Sequence, residues 1–299
     1  MSSGSPFLPG LIIACLIMTS LCAAQAAKTT DFVVRPSDAG EDDTLVVMAA
    51  LEKCKGAPNP RLVFTKGTYH FAQGKNPKAP TASMAASQID DLTIDGQGSE
   101  LIFSGLTTCF AFSACKNLTI KNLAIDWQRP PFSTGKVIAV SGKTFDVDVE
   151  AQYPVKGGEP VSAFMDWDPN TRTYKRNGLD VYYSVEKTEL VRPQVLRVFV
   201  NREVPIEVGS VAVLRHQVYA YNSFVFDRCE NVRVEKVNVY TCPGMAMVAS
   251  HCTNMHLERF NVIPRPGTDR LMSTTADAFH FKANKGLIRI KDCVMDGMG

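Results

Sequence analysis

The sequence predicts an all-β chain: a right-handed parallel β-helix, that is a solenoid, with an N-terminal capping helix and an inserted small antiparallel β-barrel. Three observations predict it. First, a strand motif recurs, as Asp91-Leu-Thr-Ile-Asp, Asn117-Leu-Thr-Ile-Lys, Asn231-Val-Arg-Val-Glu, Asn254-Met-His-Leu-Glu and, slightly slipped, Gly286-Leu-Ile-Arg-Ile. Asn231 and Asn254 are 23 residues apart, and period-2 alternation at such a spacing marks stacked coils that bury one continuous core. Second, Cys115, Cys229 and Cys252 each stand two residues before the asparagine, and Phe112, Phe226 and Ala249 three before those cysteines. Equivalent positions stack at strand spacing, so these residues form inward ladders. Third, the helical signal is confined to the N-terminal side, and the repeat is lost between Gln128 and Leu214.

Taken in order, Asp31-Phe-Val-Val-Arg reads as a strand. Glu41–Cys54 reads as a helix, with acids at its start, Lys53 near its end, and Gly56 and Pro58 to stop it. It covers the open end of the solenoid, where unpaired strand edges invite aggregation. Arg61–His70 is strand, turn, strand. Within the lost repeat, Lys136–Val140, Thr144–Glu150, Asp180–Val185, Gln194–Val200 and Val211–Leu214 alternate between Gly, Pro and Asn turns, which is an antiparallel pattern. Asp166-Trp-Asp168-Pro-Asn reads as a barrel turn. The expected organisation is a signal peptide over 1–27, a cap and first coils over 28–128, a small barrel over 129–214 and further coils over 215–299.

Charge is almost balanced, with 32 Lys+Arg against 30 Asp+Glu, and no basic block suits a phosphate backbone, so nucleic acid is not an expected partner. The first 27 residues contain no Lys, Arg, Asp or Glu. The apolar run Leu8–Leu21 followed by Ala24-Gln25-Ala26 reads as a cleaved signal peptide, so export to the periplasm or the extracellular space is expected, with no stable membrane span. Seven cysteines remain beyond it, an odd number that leaves at least one unpaired. Their ladder positions make several of them core fillers. Cys252 faces inward while His251 and His256 alternate outward, so these residues do not converge on a metal.

Candidate chemistry concentrates near Asp277-Ala-Phe-His-Phe281. In the ladder register Phe279 and Phe281 point inward and His280 outward. The slot of Asp277 holds Thr108, Asn222 and Met245 in other coils, so an acid stands there only once. Asp277 is either a turn aspartate bonding its own backbone or a catalytic carboxylate on the outer wall with His280 beside it. Ser273, Thr274 and Thr275 add polar groups on the approach. Hydrolysis of a glycosidic bond takes two carboxyl functions, and Asp292, Asp296, Asp90, Asp91 and Asp126 supply no convincing second one. Trp127 is a sugar-stacking platform or a buried plug. Arg215 and His216 bind a sugar hydroxyl or cap strands. Arg270, nearer Asp277, is a further substrate-binding candidate.

The run Asp277-Ala-Phe-His-Phe, a spacer and Gly286-Leu-Ile-Arg-Ile-x-x-Cys-Val-Met-x-Gly resembles the β-helical α-1,3-galactosidases of glycoside hydrolase family 110. Pro243-Gly-Met, Arg215-His-Gln-Val-Tyr, Asp43-Thr44 and Gly67-Thr-Tyr extend the likeness over nearly all of 31–299. The resemblance implies an exported enzyme that removes terminal α-1,3-linked galactose from an oligosaccharide or glycoconjugate, with inversion and without a metal or other cofactor. It also implies an Asp-Asp pair after the segment ending at Gly299, so the 299-residue chain by itself is expected to be inactive or nearly so. By similarity to polygalacturonases, whose three aspartates act together, Asp277 is the water-activating base. An acid and base roughly 6.5–9.5 Å apart leave room for that water. His280, Arg270, Trp127 and His216 are the substrate-binding candidates. The rivals are another β-helical polysaccharide hydrolase or lyase, and a carbohydrate-binding surface solenoid without catalysis.

Overall fold

The computed structural model describes Met1 and residues 29–38, 40–72 and 82–299; the leader expected over 1–27 lies, but for Met1, outside the described residues. The elements run β1 (Thr30–Val34), α1 (Thr44–Cys54), β2 (Pro60–Phe64), β3 (Thr68–Ala72), β4 (Ala82–Ser87), β5 (Thr93–Ser104), β6 (Thr108–Ser113) and β7 (Thr119–Trp127). An insertion follows: β8 (Phe132–Ser141), β9 (Thr144–Val149), β10 (Ala163–Asp168), β11 (Thr173–Tyr174), β12 (Asp180–Tyr182), β13 (Val185–Arg192), β14 (Val195–Val200) and β15 (Val211–Arg215). Then come β16 (Phe224–Asp227), β17 (Glu230–Val239), β18 (Met247–Ser250), β19 (Thr253–Val262), β20 (Phe279–Lys282) and β21 (Lys285–Lys291).

The chain is all-β with one described helix, and its architecture is solenoid-like. From β4 onward, outside the insertion, successive strands alternate between two parallel sheets. One has the order β20-β18-β16-β6-β4; the other β1-β2-β5-β7-β17-β19-β21, with β3 also beside β5. The register is the one the ladders predict: Phe110, Phe224, Met247 and Phe279 are partners across four strands. Phe110 and Phe224 stack at 4.9 Å with rings 2° apart. Cys115, Cys229 and Cys252 are buried free thiols.

The asparagine ladder has a backbone cause. Asp91, Asn117, Asn231 and Asn254 all have positive φ, between 53° and 58°, and Gly286 takes the same slot at 70°. Left-handed backbone is costly for ordinary side chains and cheapest for Gly, Asn and Asp. Each side chain then bonds the coil before it: Asn117 Nδ2 to Asp91 Oδ1 at 2.8 Å, Asn231 to Asn117 at 2.9 Å, Asn254 to Asn231 at 3.0 Å. Gly286 has no side chain to add, and the Leu287 amide takes the Asn254 oxygen instead at 3.0 Å.

Helix α1 begins at Thr44, later than the Glu41 start expected, because the acids ahead of it are used elsewhere. Asp43 accepts the amides of Ser37 and His70, at 2.7 and 2.8 Å, and Asp42 that of Thr44 at 3.0 Å. The helix buries Val47, Leu51 and Cys54.

The insertion is one antiparallel sheet, order β11-β10-β15-β8-β9-β14-β13, with β12 also beside β10. The closed barrel expected is not formed by its ladders. Tyr183 and Ser184 separate β12 from β13 in sequence, and Tyr183 adopts φ 51°. The turn expected at Asp166-Trp-Asp168 is also corrected. These residues end strand β10, paired to β15 from Ala163 to Trp167, and the turn starts at Asp168, whose carboxylate accepts the Asn170 amide at 2.7 Å. The insertion has its own core, which Leu271 and Met272 from the loop before β20 enter.

Replacing Asn231 tests the ladder. Asn231→Ala keeps a Cβ at left-handed φ and loses both amide bonds, so it should cost about 1–2 kcal/mol in chemical unfolding. Asn231→Gly should cost less. Equal losses would mean that backbone strain plays no part there.

Candidate active site

Asp277 lies at the turn into β20, in the slot predicted for it. Its backbone carbonyl accepts the Ala246 amide at 3.1 Å, as that of Met245 accepts the Ser223 amide one coil earlier. Burial of the approach forces its side chain outward. Residues 271–276 are all buried, whereas Asp277 is exposed. Ser273 and Thr274 therefore do not line an approach, as expected above. Their hydroxyls donate to the carbonyls of Asp296 and Ala276, each at 2.6 Å. His280 faces out from β20, and its Nδ1 is 3.8 Å from Asp277 Oδ2 with both side chains about half exposed.

A second group of side chains meets this end of the coil from the insertion. Arg215, the last residue of β15, is fully buried. A buried guanidinium needs partners, and these come from both bodies. It is ion-paired to Asp180, donates to Tyr182 Oη at 3.1 Å and the Thr275 carbonyl at 3.3 Å, and sits 4.7 Å from the centre of the Tyr182 ring. Tyr219 stacks on Tyr182, with centroids 6.0 Å apart and rings 13° from parallel, and donates its hydroxyl to Tyr182 at 3.1 Å. That hydrogen bond first, then burial, pushes the Tyr219 phenol up to about 12, with Asp277 contributing in the same direction. The chemistry at hand is an exposed carboxylate beside an imidazole, with phenol hydroxyls and a buried cation behind them.

Three sequence-derived candidates lie elsewhere. Trp127 is 2% exposed, stacks on Phe103 at 5.1 Å and donates Nε1 to the Gly105 carbonyl at 3.0 Å. It is the buried plug, not a sugar platform. Arg270 is turned away into a clamp, with Nη1 2.7 Å from Asp126 Oδ1. Arg265 holds the other oxygen of Asp126 at 2.8 Å and reaches Glu100 at 2.7 Å. These pairs pin the loop before Asp277 to the end of β7. His216 has both ring nitrogens engaged. Nδ1 lies 2.8 Å from the Pro160 carbonyl, which can only accept, so Nε2, 2.8 Å from Ser133 Oγ, is the acceptor. Burial first, and the Arg129 cation beside it, push this imidazole down to about 4.

Asp180, Tyr182 and Tyr219 were missed in the sequence because no spacing links residue 182 to residue 219. The available signal was Tyr182-Tyr183, adjacent aromatics in a strand, one of which must face out. Among the described residues no cluster of three His, Cys, Asp or Glu side chains is arranged to hold a metal ion.

Two outcomes are expected. Asp126→Ala leaves the Arg270 side chain, 12% exposed, without its carboxylate, and should lower stability by about 3 kcal/mol in denaturant unfolding. For His216 the folded form favours the neutral ring, so its contribution is complete above the ordinary value of 6.5 and is lost as pH falls toward about 4. Unfolding midpoints measured across that window should fall with acid, and His216→Asn should flatten the fall.

No family model matches the chain. It is 27% identical to alpha-1,3-galactosidase B of Bacteroides thetaiotaomicron, over 95% of this chain and 51% of that protein. It is 26% identical to alpha-1,3-galactosidase A of Shewanella woodyi, over 94% of this chain and 51% of that protein. The chain thus spans about half the length of these curated relatives. A solved structure from Parabacteroides merdae covers 86% of this chain, and this chain 96% of it, at 12% identity and a TM-score of 0.34, a likeness that carries no argument. The resemblance read from the sequence is borne out by these curated proteins: the chain is similar to α-1,3-galactosidases along nearly its whole length.

Proposed function

We propose that the protein is a glycoside hydrolase that removes terminal α-1,3-linked galactose, exo-acting, inverting and metal-independent, and that it works outside the cytoplasm after loss of its leader. The frame proposed for it is a right-handed parallel β-helix. As the chain spans about half the length of its curated relatives, the activity is proposed for the protein as a whole. One observation carries the reading: in a chain related to α-1,3-galactosidases, the coil slot filled by Thr108, Asn222 and Met245 elsewhere holds an exposed carboxylate, Asp277, with the His280 imidazole 3.8 Å away.

In the proposed reaction Asp277 takes a proton from a water molecule. The water oxygen bonds to the anomeric carbon as the glycosidic C–O bond breaks, and the leaving oxygen takes a proton from the acid that the resemblance places on an Asp-Asp pair. A base that works this way must be open to water, which an exposed carboxylate is. His280 would orient a sugar hydroxyl or the water.

The test is NMR of the first anomer released from Galα1-3Gal. β-Galactose is expected, and α-galactose would exclude inversion. Asp277→Ala should reduce turnover by roughly 10²–10⁴-fold; a variant as active as the parent would remove Asp277 from the mechanism.

A further inference from the structure

We propose that Tyr182 and Tyr183 of the insertion, with Tyr219 from the segment that follows it, form a sugar-stacking subsite on the Asp277 side of the molecule that takes a neutral hexose unit of the substrate. This rests on the glycosidase reading and adds a ligand-binding role for the insertion.

Three observations on the group support it. Tyr183 and Tyr219 both have left-handed backbone, φ 51° and 61°, while being 68% and 45% exposed. Left-handed φ in bulky residues costs energy and is retained where the surroundings demand it, often at functional sites. At Tyr183 the conformation has a visible result. Adjacent strand residues ordinarily point to opposite faces, yet its ring centre lies 6.0 Å from that of Tyr182. With Tyr219 also 6.0 Å from Tyr182, three rings are grouped where the insertion meets the segment that follows it.

Hydrogen bonding supplies the second argument. The Tyr182 oxygen accepts from both Arg215 Nη1 and the Tyr219 hydroxyl, each at 3.1 Å. Two acceptances use both of its lone pairs, so its own O–H can only point away from that pair as a donor. Arg215, fully buried and tied to Asp180 and the Thr275 carbonyl, fixes the phenol in place. The group thus offers ring faces and one preorganised donor. A hexopyranose matches that chemistry, with a C–H face that packs on an aromatic ring and hydroxyls that accept.

The third argument is position. The Thr275 carbonyl that Arg215 holds is two residues before Asp277 on the same chain segment. The Asp277 charge is also felt at the Tyr219 phenol. The subsite and the proposed base therefore share one anchor.

The experiment is calorimetric binding of Galα1-3Gal and of galactose to the full chain, with Tyr219→Ala and Tyr219→Phe, each checked for an unchanged unfolding midpoint. Phe keeps the ring and loses the hydroxyl. Tyr219→Ala should weaken binding by about tenfold or more, and Tyr219→Phe by about threefold at most. Parental affinity in Tyr219→Ala, or no binding of either sugar by the parent, overturns the subsite. Asp277→Ala separates the two ideas: it should still bind sugar while losing turnover, so retained turnover refutes the assigned base without touching the tyrosines.

Discussion

Each coil of this chain has to turn through left-handed backbone at a fixed place, and the side chain there has to bond along the stack. That constraint sets the register, and the rest follows from it. With Asp91, Asn117, Asn231, Asn254 and Gly286 in one column, every inward and outward position in neighbouring strands is determined. A slip of one residue would exchange Phe279 with His280 and turn the core outward. The exposure of Asp277 is thus a consequence of the ladder position Gly286, nine residues on, as much as of its own turn. The same column explains why the polar bonds lie in a row on the surface while the thiols and phenyl rings lie beneath: an amide can satisfy the coil before it and the coil after it, and a thiol has only packing to offer.

Arg215 ties the insertion to this frame. Burying a guanidinium is costly unless it is paired, and here the two terminal nitrogens are engaged by an acid and a phenol from β12 and a carbonyl from the loop before β20. The loop in turn sends Leu271 and Met272 into the insertion's core, while Arg265 and Arg270 fasten its other end to Asp126 on β7. The segment that carries Asp277 is therefore held at its start by charge pairs, in the middle by apolar packing, and at Thr275 by the hydrogen bond from Arg215. A carboxylate presented from such a segment has a fixed position, which a general base needs and a turn aspartate does not.

Much of this was legible in the sequence, for a reason that also marks the limit. Stacked coils repeat, so alternation, the cysteine column, the asparagine column and the odd acid at position 277 could be aligned by eye. The insertion does not repeat. Its strands were found from alternation, but β10 was hidden because Asp166, buried and bonded to the Leu179 amide, looks like a turn residue. Side-chain commitments were also invisible. Nothing in the sequence says that Trp127 lies under Phe103, that Arg270 turns back to Asp126, or that Asp180 and Tyr182 reach Arg215. The contacts of Asp180 and Tyr182 with Arg215 join residues more than thirty positions apart, through the antiparallel pairing of β12 and of β15 with β10.

The left-handed residues separate into two classes on this view. In the solenoid they recur in columns, filled by Asn, Asp, Gly and other side chains that face solvent, and each has a counterpart one coil away. Structure alone accounts for them. Tyr183 and Tyr219, like Arg172, Asn177 and Gln194 in the insertion, have no such counterpart. The two tyrosines are large and exposed, and the Tyr219 phenol feels the charge of the single acid that breaks the pattern of its column. Smaller or more flexible residues would meet the backbone's requirement at lower cost. What the tyrosines add is ring surface held at one spot by a buried cation, and the frame has no use for it. A strained aromatic pair that the fold does not require, anchored through the chain segment that presents Asp277, is better accounted for by something that binds there than by the packing of the protein itself.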